Sequence, residues 1–444
     1  MFVRKWSSLP EDPQFPSDLK GLGYFVNEND EVRSIKNPDC YYKFFISRNP
    51  RWNQRQRFGM NQAIQGVVHS RLSDLGLEKH RLPLGTAATS PHVPIFASAD
   101  IATKSRVVLI FGETHQDLGV LAQRVAGGPG GIAKGSLVSV VRALQAQQSS
   151  ATDAAAPGVI LANTGELLWW PEGQRTLSAS AFAAAPMRSA AHRGNRVDAQ
   201  VHLVPGHEDP RAHVAYIFEE VVPKLVSAGA GLDILGVGDG ADVVESYLNW
   251  APVWARWEKR INCLALVGGQ FPEWDVRCDG LRECLRERTR AYAPSTEPLG
   301  LILSGPEGNP RTSTFTSLGC PVFSAGESQH VETLLVASYP TILDWLQEVA
   351  LTPPNDKPYK NPEFTVFFSD AVLEPGESNS WSNWKEEHGA DDGSGTGAKD
   401  GMKSGDGEVV DEEAKKKDEQ AEKDKDSNKH VVRVDSLSDS EDEN

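Results

Sequence analysis

Residues 232–248 carry the one stretch of this chain whose types and spacing read as a reaction centre. An apolar run, residues 232–237, turns through Gly236, Gly238 and Gly240 and continues with Val243, Val244, Tyr247 and Leu248 at helical spacing. A strand, a tight glycine turn and a helix is the layout that exposes a nucleophile in the pattern Gly-x-Ser-x-Gly. Here the five residues are Gly236-Val-Gly-Asp-Gly240, and Gly238 stands where the serine belongs. A glycine has no side chain with which to attack a carbonyl, so the sequence predicts the turn without its nucleophile.

Other chemistry is available to the same residues. A glycine turn after a strand can cradle phosphate, but the wider Gly-x-Gly-x-x-Gly spacing is missing, and Asp239 and Asp242 would repel a phosphate at the helix start. Those two acids suit the helix dipole with no ligand at all. A slip of one residue would make Asp239 a carboxylate nucleophile, at the cost of placing Val237 where the turn needs a small residue. The remaining reading is a turn that only packs a strand against a helix.

A serine hydrolase with this turn, on an α/β-hydrolase scaffold, needs an acid and then a histidine later in the chain. His330 stands where the histidine would, and Glu307 or a residue just after Val267 where the acid would. Without a serine to deprotonate, His330 is no general base for acyl transfer, and a residue left over or capping the next segment is the expectation. Phe111-Gly112 occupies the turn where such enzymes carry His-Gly beside the oxyanion hole. Gly127-Gly-Pro-Gly-Gly131 with Lys134-Gly-Ser136 fails the phosphate-loop order, and no cofactor is expected.

The elements that must position these residues alternate. Residues 93–98, 106–112, 157–163, 232–237, 261–267, 299–304 and 321–330 read as strands or strand-like, and residues 137–144, 210–228, 281–292 and 339–349 as helices, with Pro223 expected to kink the second. This predicts an α/β fold: an α/β-hydrolase-like, mostly parallel sheet with helices on both faces. Residues 27–30 read as the turn of a hairpin, 41–46 as a short apolar segment, 53–75 as a helix, 127–131 as a flexible loop, and 168–191 as an insertion. Arg48, Arg51, Arg55 and Arg57, with Trp52 among them, form a basic cluster suited to RNA phosphates and bases, or else to a solvated helix start paired with acids.

The division expected is an N-terminal arm with the first strands (1–105), a core (106–350), an extended arm carrying Phe364, Val366, Phe367, Trp381 and Trp384 (351–388), and a disordered acidic tail (389–444). Of the net charge of −16, the tail holds −9, from nine Lys/Arg against eighteen Asp/Glu, leaving the body only mildly acidic and no general lure for nucleic acid or anionic membrane. Five scattered cysteines without Cys-x-x-Cys argue against a disulfide framework or a zinc site and suit a reducing compartment. No secretory leader and no membrane-spanning run are read in the sequence.

Taken together, residues 45–57, Val107-Val-Leu-Ile-Phe-Gly112, the turn at residues 236–240, residues 320–330 and Tyr339-Pro-Thr-Ile-Leu-Asp-Trp-Leu346 resemble the Arb-two domain, that of the second Argonaute-binding protein of fission yeast and its animal relatives, over residues 15–350. The resemblance implies an α/β-hydrolase-like fold and a nuclear role in small-RNA-directed heterochromatin formation. The partners it implies are Argonaute and a second silencing-complex subunit, with duplex small interfering RNA held through Argonaute. Some relatives keep the serine and His-Gly, so Gly238 and Phe111 argue against carrying their activity over, while His330 matches.

In the tail, Val431, Val432 and Val434, followed by Asp435 and Ser436, look like a SUMO-interacting motif that adds a strand to a sheet edge. Ser436, Ser438 and Ser440 each have an acid three residues on, which suits an acidophilic kinase of the casein-kinase-two type. A merely solubilising acidic tail is the alternative. The expected function is thus a pseudo-hydrolase subunit of an Argonaute complex, nuclear with a possible cytoplasmic pool and away from membranes. An active esterase-like hydrolase is the alternative.

Overall fold

The structure, a computed structural model, describes residues 8–191, 195–309, 316–352, 359–364 and 366. Its strands are β1 (Tyr24–Val26), β2 (Val32–Ser34), β3 (Leu77–Leu82), β4 (Val93–Ser98), β5 (Arg106–Phe111), β6 (Gly158–Ala162), β7 (Leu168–Trp170), β8 (Arg175–Leu177), β9 (Gly231–Val237), β10 (Ile261–Val267), β11 (Thr289–Ala293), β12 (Ile302–Ser304) and β13 (Val322–Ser324). Nine of them form one mixed sheet in the order β12-β13-β11-β10-β9-β5-β6-β4-β3. From β6 to β13 the pairings are parallel; β4, β3 and β12 are antiparallel at the two ends. Read inward from β3, this is the strand order of the α/β-hydrolase fold. The residues of β5 are all buried, as an apolar strand covered on both faces must be, whereas the edge strand β3 leaves its charged residues outward.

One apolar core lies on each face. Met60, Ile64, Val68 and Leu72 of the helix Pro50–Asp74 pack on one face with Val138 and Val141 of the helix Leu137–Gln145 and with Leu335, Trp345 and Leu346 of the helix Leu334–Leu351. Val214, Phe218, Val244, Leu248, Trp254 and Leu281 fill the other. Between β5 and β9 a buried ion pair crosses the sheet: Arg106 Nε donates to Asp233 Oδ2 at 2.7 Å. The rest of the guanidinium donates to the Gln148 and Leu346 carbonyls, and Asn262 donates to the other Asp233 oxygen.

Several expectations are corrected. Residues 281–292 do not form one helix: the helix Asp279–Arg288 stops, and residues 289–293 become β11, a parallel inner strand. The change falls at Thr289, which takes an extended backbone while its hydroxyl donates to the Cys284 carbonyl, so the following side chains alternate as a strand requires. The edge strand β3 went unread, because only its end residues Leu77 and Leu82 are buried and the four polar residues between them show no apolar alternation. In the short apolar segment 41–46, Tyr41 makes an isolated bridge to Arg33. The glycine run read as a loop does connect two helical turns, Gln123–Ala126 and Gly131–Lys134, the second of which takes in Gly131. Before Pro223 the helix widens into a π-turn, Ile217–Val221, where a proline nitrogen has no proton to donate.

The hairpin at residues 27–30 forms as read. Of the arm beyond residue 350, Tyr359 and Phe364 pack against Trp345 and Phe323, with the Arg290 guanidinium over the Phe323, Trp345 and Phe364 rings. Phe367, Trp381, Trp384 and the whole tail, including Val431, Val432, Val434, Asp435, Ser436, Ser438 and Ser440, lie outside the described residues. Among the described residues no helix is long and apolar enough to cross a membrane.

Candidate functional site

Chain order reverses between β5 and β9, and in open α/β sheets that crevice, beyond the carboxyl ends of the strands, is where ligands and chemistry gather. Two turns meet there: residues 111–117 after β5, and the glycine turn after β9. The second has the geometry of a nucleophile turn. Gly238 sits at φ +53°, ψ −131°, between β9 and the helix Asp239–Leu248, and its N–H donates to the Val267 carbonyl at 2.7 Å. The turn is sharp enough that a Cβ on Gly236 would lie 2.5 Å from the Ala241 Cα, and one on Gly240 would overlap the Gly112 carbonyl. These glycines let the helix start press against the end of β5.

The space that a nucleophile's side chain would fill is taken by Glu113. A Cβ built on Gly238 would overlap the Glu113 carboxyl, meeting Oε1 and Cδ first. The Glu113 Oε1 atom is buried and has no hydrogen-bond partner among the described residues. Burial, and next the negative charges of Asp239, Glu332 and Asp242, push its carboxyl up to about 7. At neutral pH this position therefore holds a partly protonated carboxyl group, contributed by the neighbouring turn. Sequence reasoning missed it, although Glu113 directly follows the Phe111-Gly112 turn it had singled out.

The surroundings leave little room for a substrate. The cavity lined by Gly112, Glu113, Thr164, Val237 and Glu332 has a volume of about 30 Å³, the share of one water molecule. A larger cavity of about 320 Å³ opens beside it, lined by Arg57, Gln65, His115, Asp117, Arg175 and Glu332 among others, but neither Gly238 nor His330 lines it. Asp239 is engaged as an acceptor, from Thr114 Oγ1 at 2.9 Å, with His115 Nε2 at 3.8 Å. Asp242 accepts the backbone N–H groups of Gln270 and Phe271, tying the loop after β10 to the helix start. Among the described residues no cluster of three or more His, Cys, Asp or Glu could hold a metal.

His330 follows β13 in the chain, but its neighbours are its own loop. Its Nδ1 lies 3.6 Å from Glu327 Oε1, and its carbonyl accepts from the Thr333 N–H and hydroxyl at the start of the next helical turn. Capping is done by the backbone; the ring makes no cap hydrogen bond. Glu307, the acid expected from its place in the chain, instead faces Arg286 at 3.7 Å, and residues 268–270 contain no acid. Phe111 is buried at the end of β5, stacked on Phe218 at 5.8 Å between ring centres.

The structure divides the basic cluster. Arg51 and Arg55 are turned inward: Arg51 forks onto Asp12 at 2.6 and 2.8 Å and donates to the Ala185 carbonyl, and Arg55 donates to the Ala184 carbonyl. Both side chains are almost wholly buried, so neither is placed to meet RNA. Arg48 and Arg57 remain outward, Arg57 over the Phe44 ring, and Trp52 is half exposed against Phe15. The cluster fails as a stripe because Asp12, far off in sequence, supplies a buried partner.

Comparison with known proteins bears on the whole of this arrangement. The mouse protein named cotranscriptional regulator ARB2A (Mus musculus) is 22% identical over 364 residues, covering 76% of this chain and 81% of the relative. The human protein of the same name (Homo sapiens) is 30% identical over 114 residues, which are 25% of this chain and 27% of that one. Among solved structures, the esterase Est22 covers 68% of this chain and 91% of its own at 11% identity, with a TM-score of 0.30, too low to add to what the strand order shows. The model of the Arb2 domain matches residues 15–299, more than half of the chain, and this protein belongs to the Arb2 domain family.

Proposed function

We propose that this chain is a non-catalytic member of its family, an α/β-hydrolase-like domain that acts by binding. The observation that carries this reading is the Glu113 carboxyl standing where the side chain of a nucleophile would emerge from position 238. The turn holds no serine, and the Glu113 carboxyl lies across the space that a serine side chain would take. In this reading the domain serves gene regulation in the nucleus, with a possible cytoplasmic pool, as a subunit that meets Argonaute and a second silencing-complex subunit and holds duplex small RNA through Argonaute. The name of the mouse relative, a cotranscriptional regulator, supports the nuclear setting. The valine motif at residues 431–436 adds SUMO as a further partner.

Tagged protein purified from its own nuclei tests the assignment. Co-purifying Argonaute with double-stranded small RNA supports it; a clean preparation without Argonaute removes it. One contact favours a hydrolase instead: His115 lies 3.8 Å from Asp239, an acid–histidine pair at the turn itself. An ester panel separates the two, because that reading requires turnover lost in Asp239→Asn.

A further inference from the structure

A third cavity, of about 310 Å³, lies away from the glycine turn, between the helix Pro50–Asp74, the edge strand β3 and the β7–β8 hairpin, and shares Gln65 and Arg175 with the cavity of about 320 Å³. Its lining is cationic in a chain that is acidic overall: Lys79 and Arg81 come from β3, two residues apart and so on the same face, and Arg175 comes from β8. The one carboxylate in the lining, Glu166, is already taken. It accepts from Arg175 at 3.0 Å, from Gln65 Nε2 at 2.8 Å and from the Leu118 N–H at 2.8 Å.

Neither Lys79 nor Arg81 is in an ion pair among the described residues, although Glu166 lies near enough to act on Lys79. Lys79 Nζ meets His69 Nδ1 at 3.3 Å, and no carboxylate pairs with it. Burial pushes His69 down to about 3, so the ring is neutral, and its Nε2 donates to the Leu118 carbonyl. Among the described residues Arg81 has no ion-pair partner. The cations also act on one another: the desolvation of the Lys79 ammonium comes first, and Arg175 and Arg81 add to it, so that its value lies below the ordinary one even though the nearby Glu166 opposes the shift. A different observation points the same way. Thr176, on the cavity wall, is 1% exposed, and its hydroxyl is buried without a hydrogen-bond partner among the described residues.

We infer that this cavity is a binding site for a phosphomonoester dianion, held by Lys79, Arg81 and Arg175 with the Thr176 hydroxyl as an additional donor. Three cations against one carboxylate leave two positive charges for a dianion, and donors from two separate strands suit a tetrahedral phosphate better than a planar carboxylate. At about 310 Å³ the space also admits a small organic group beyond the phosphate. The site stands independently of the proposed silencing role.

Calorimetric titration of the full chain at low ionic strength tests it, with ribose 5-phosphate, inorganic phosphate, citrate and plain ribose as probes. Saturable binding of ribose 5-phosphate is expected, weakened about tenfold or more in Lys79→Gln and in Arg81→Gln. Both residues are on the outward side of an edge strand, and unchanged circular dichroism and melting would show that the variants fold. Thr176→Val should weaken binding several-fold while leaving the melting temperature equal or higher, since it removes an unpaired buried hydroxyl. Inorganic phosphate bound as tightly as ribose 5-phosphate would also support the site and assign it to the phosphate alone. No saturable heat up to roughly 10 mM probe, tighter binding of citrate, or equal binding in both charge variants would overturn it.

Discussion

The carboxyl of Glu113 occupies the space into which a side chain at position 238 would project. The absence of a serine there is therefore more than the loss of one hydroxyl: the neighbouring turn has filled the place, and the two positions are coupled.

Restoring the serine should consequently fail to restore the site. Gly238 holds φ +53°, where a side chain is strained, and a serine Cβ there would overlap Glu113. Gly238→Ser is expected to cost about 1–3 kcal/mol in urea unfolding. Glu113→Ala in the same chain should recover about 1 kcal/mol of that by removing the overlap. Additive effects in a double-mutant cycle would show that the two positions are not in contact.

Glu113 also sets a pH dependence. Its folded-state value, pushed up to about 7, lies above the ordinary 4.5, so between those values the folded chain holds a proton that the unfolded chain has released. Stability therefore falls as pH rises through that window, and the full penalty is present above it. Glu113→Gln should raise stability by about 1–3 kcal/mol at pH 8 and change it little at pH 4.5, measured by urea midpoints.

The Arg106–Asp233 pair is buried on both sides and fully hydrogen-bonded. Removing one partner leaves the other charge stranded, so Asp233→Ala should cost about 3–5 kcal/mol in chemical denaturation. Replacing both, as Arg106→Met with Asp233→Leu, should recover most of that loss. A double variant as unstable as the single one would mean that the hydrogen bonds to the Gln148 and Leu346 carbonyls, rather than the charges, hold the strands.

Arg51 gives a choice between stability and RNA contact. Its guanidinium forks onto Asp12, so Arg51→Ala and Asp12→Ala should each destabilise the fold by about 3 kcal/mol, and the double variant by much less than their sum. A stable Arg51→Ala chain with weakened RNA binding would restore the nucleic-acid reading of that residue.

Much of the fold was legible because its inner strands are short apolar runs bounded by glycine: β5, β6, β9 and β10 lie at or within a residue or two of the positions read. What escaped was structure carried by charged residues. β3 and β11 contain lysine and arginines, and the pairing of the first, which buries only its two ends, and the late turn out of a helix by the second are settled by neighbouring strands. The glycine turn was found, because close backbone approach demands glycine. Its occupant was not, because Glu113 becomes meaningful only when β5 and β9 are set side by side. Asp12 escaped for the same reason: nothing local ties it to a helix beginning at Pro50.

The most direct test of the central claim is ester turnover by the purified full chain over a broad panel of acyl chain lengths, alongside Glu113→Gln, Asp239→Asn and His330→Ala. The account predicts no saturable turnover in any of them and no labelling by a serine-directed fluorophosphonate. Saturable turnover by the wild-type chain, abolished in Glu113→Gln, Asp239→Asn or His330→Ala, would contradict it and make this turn an active site.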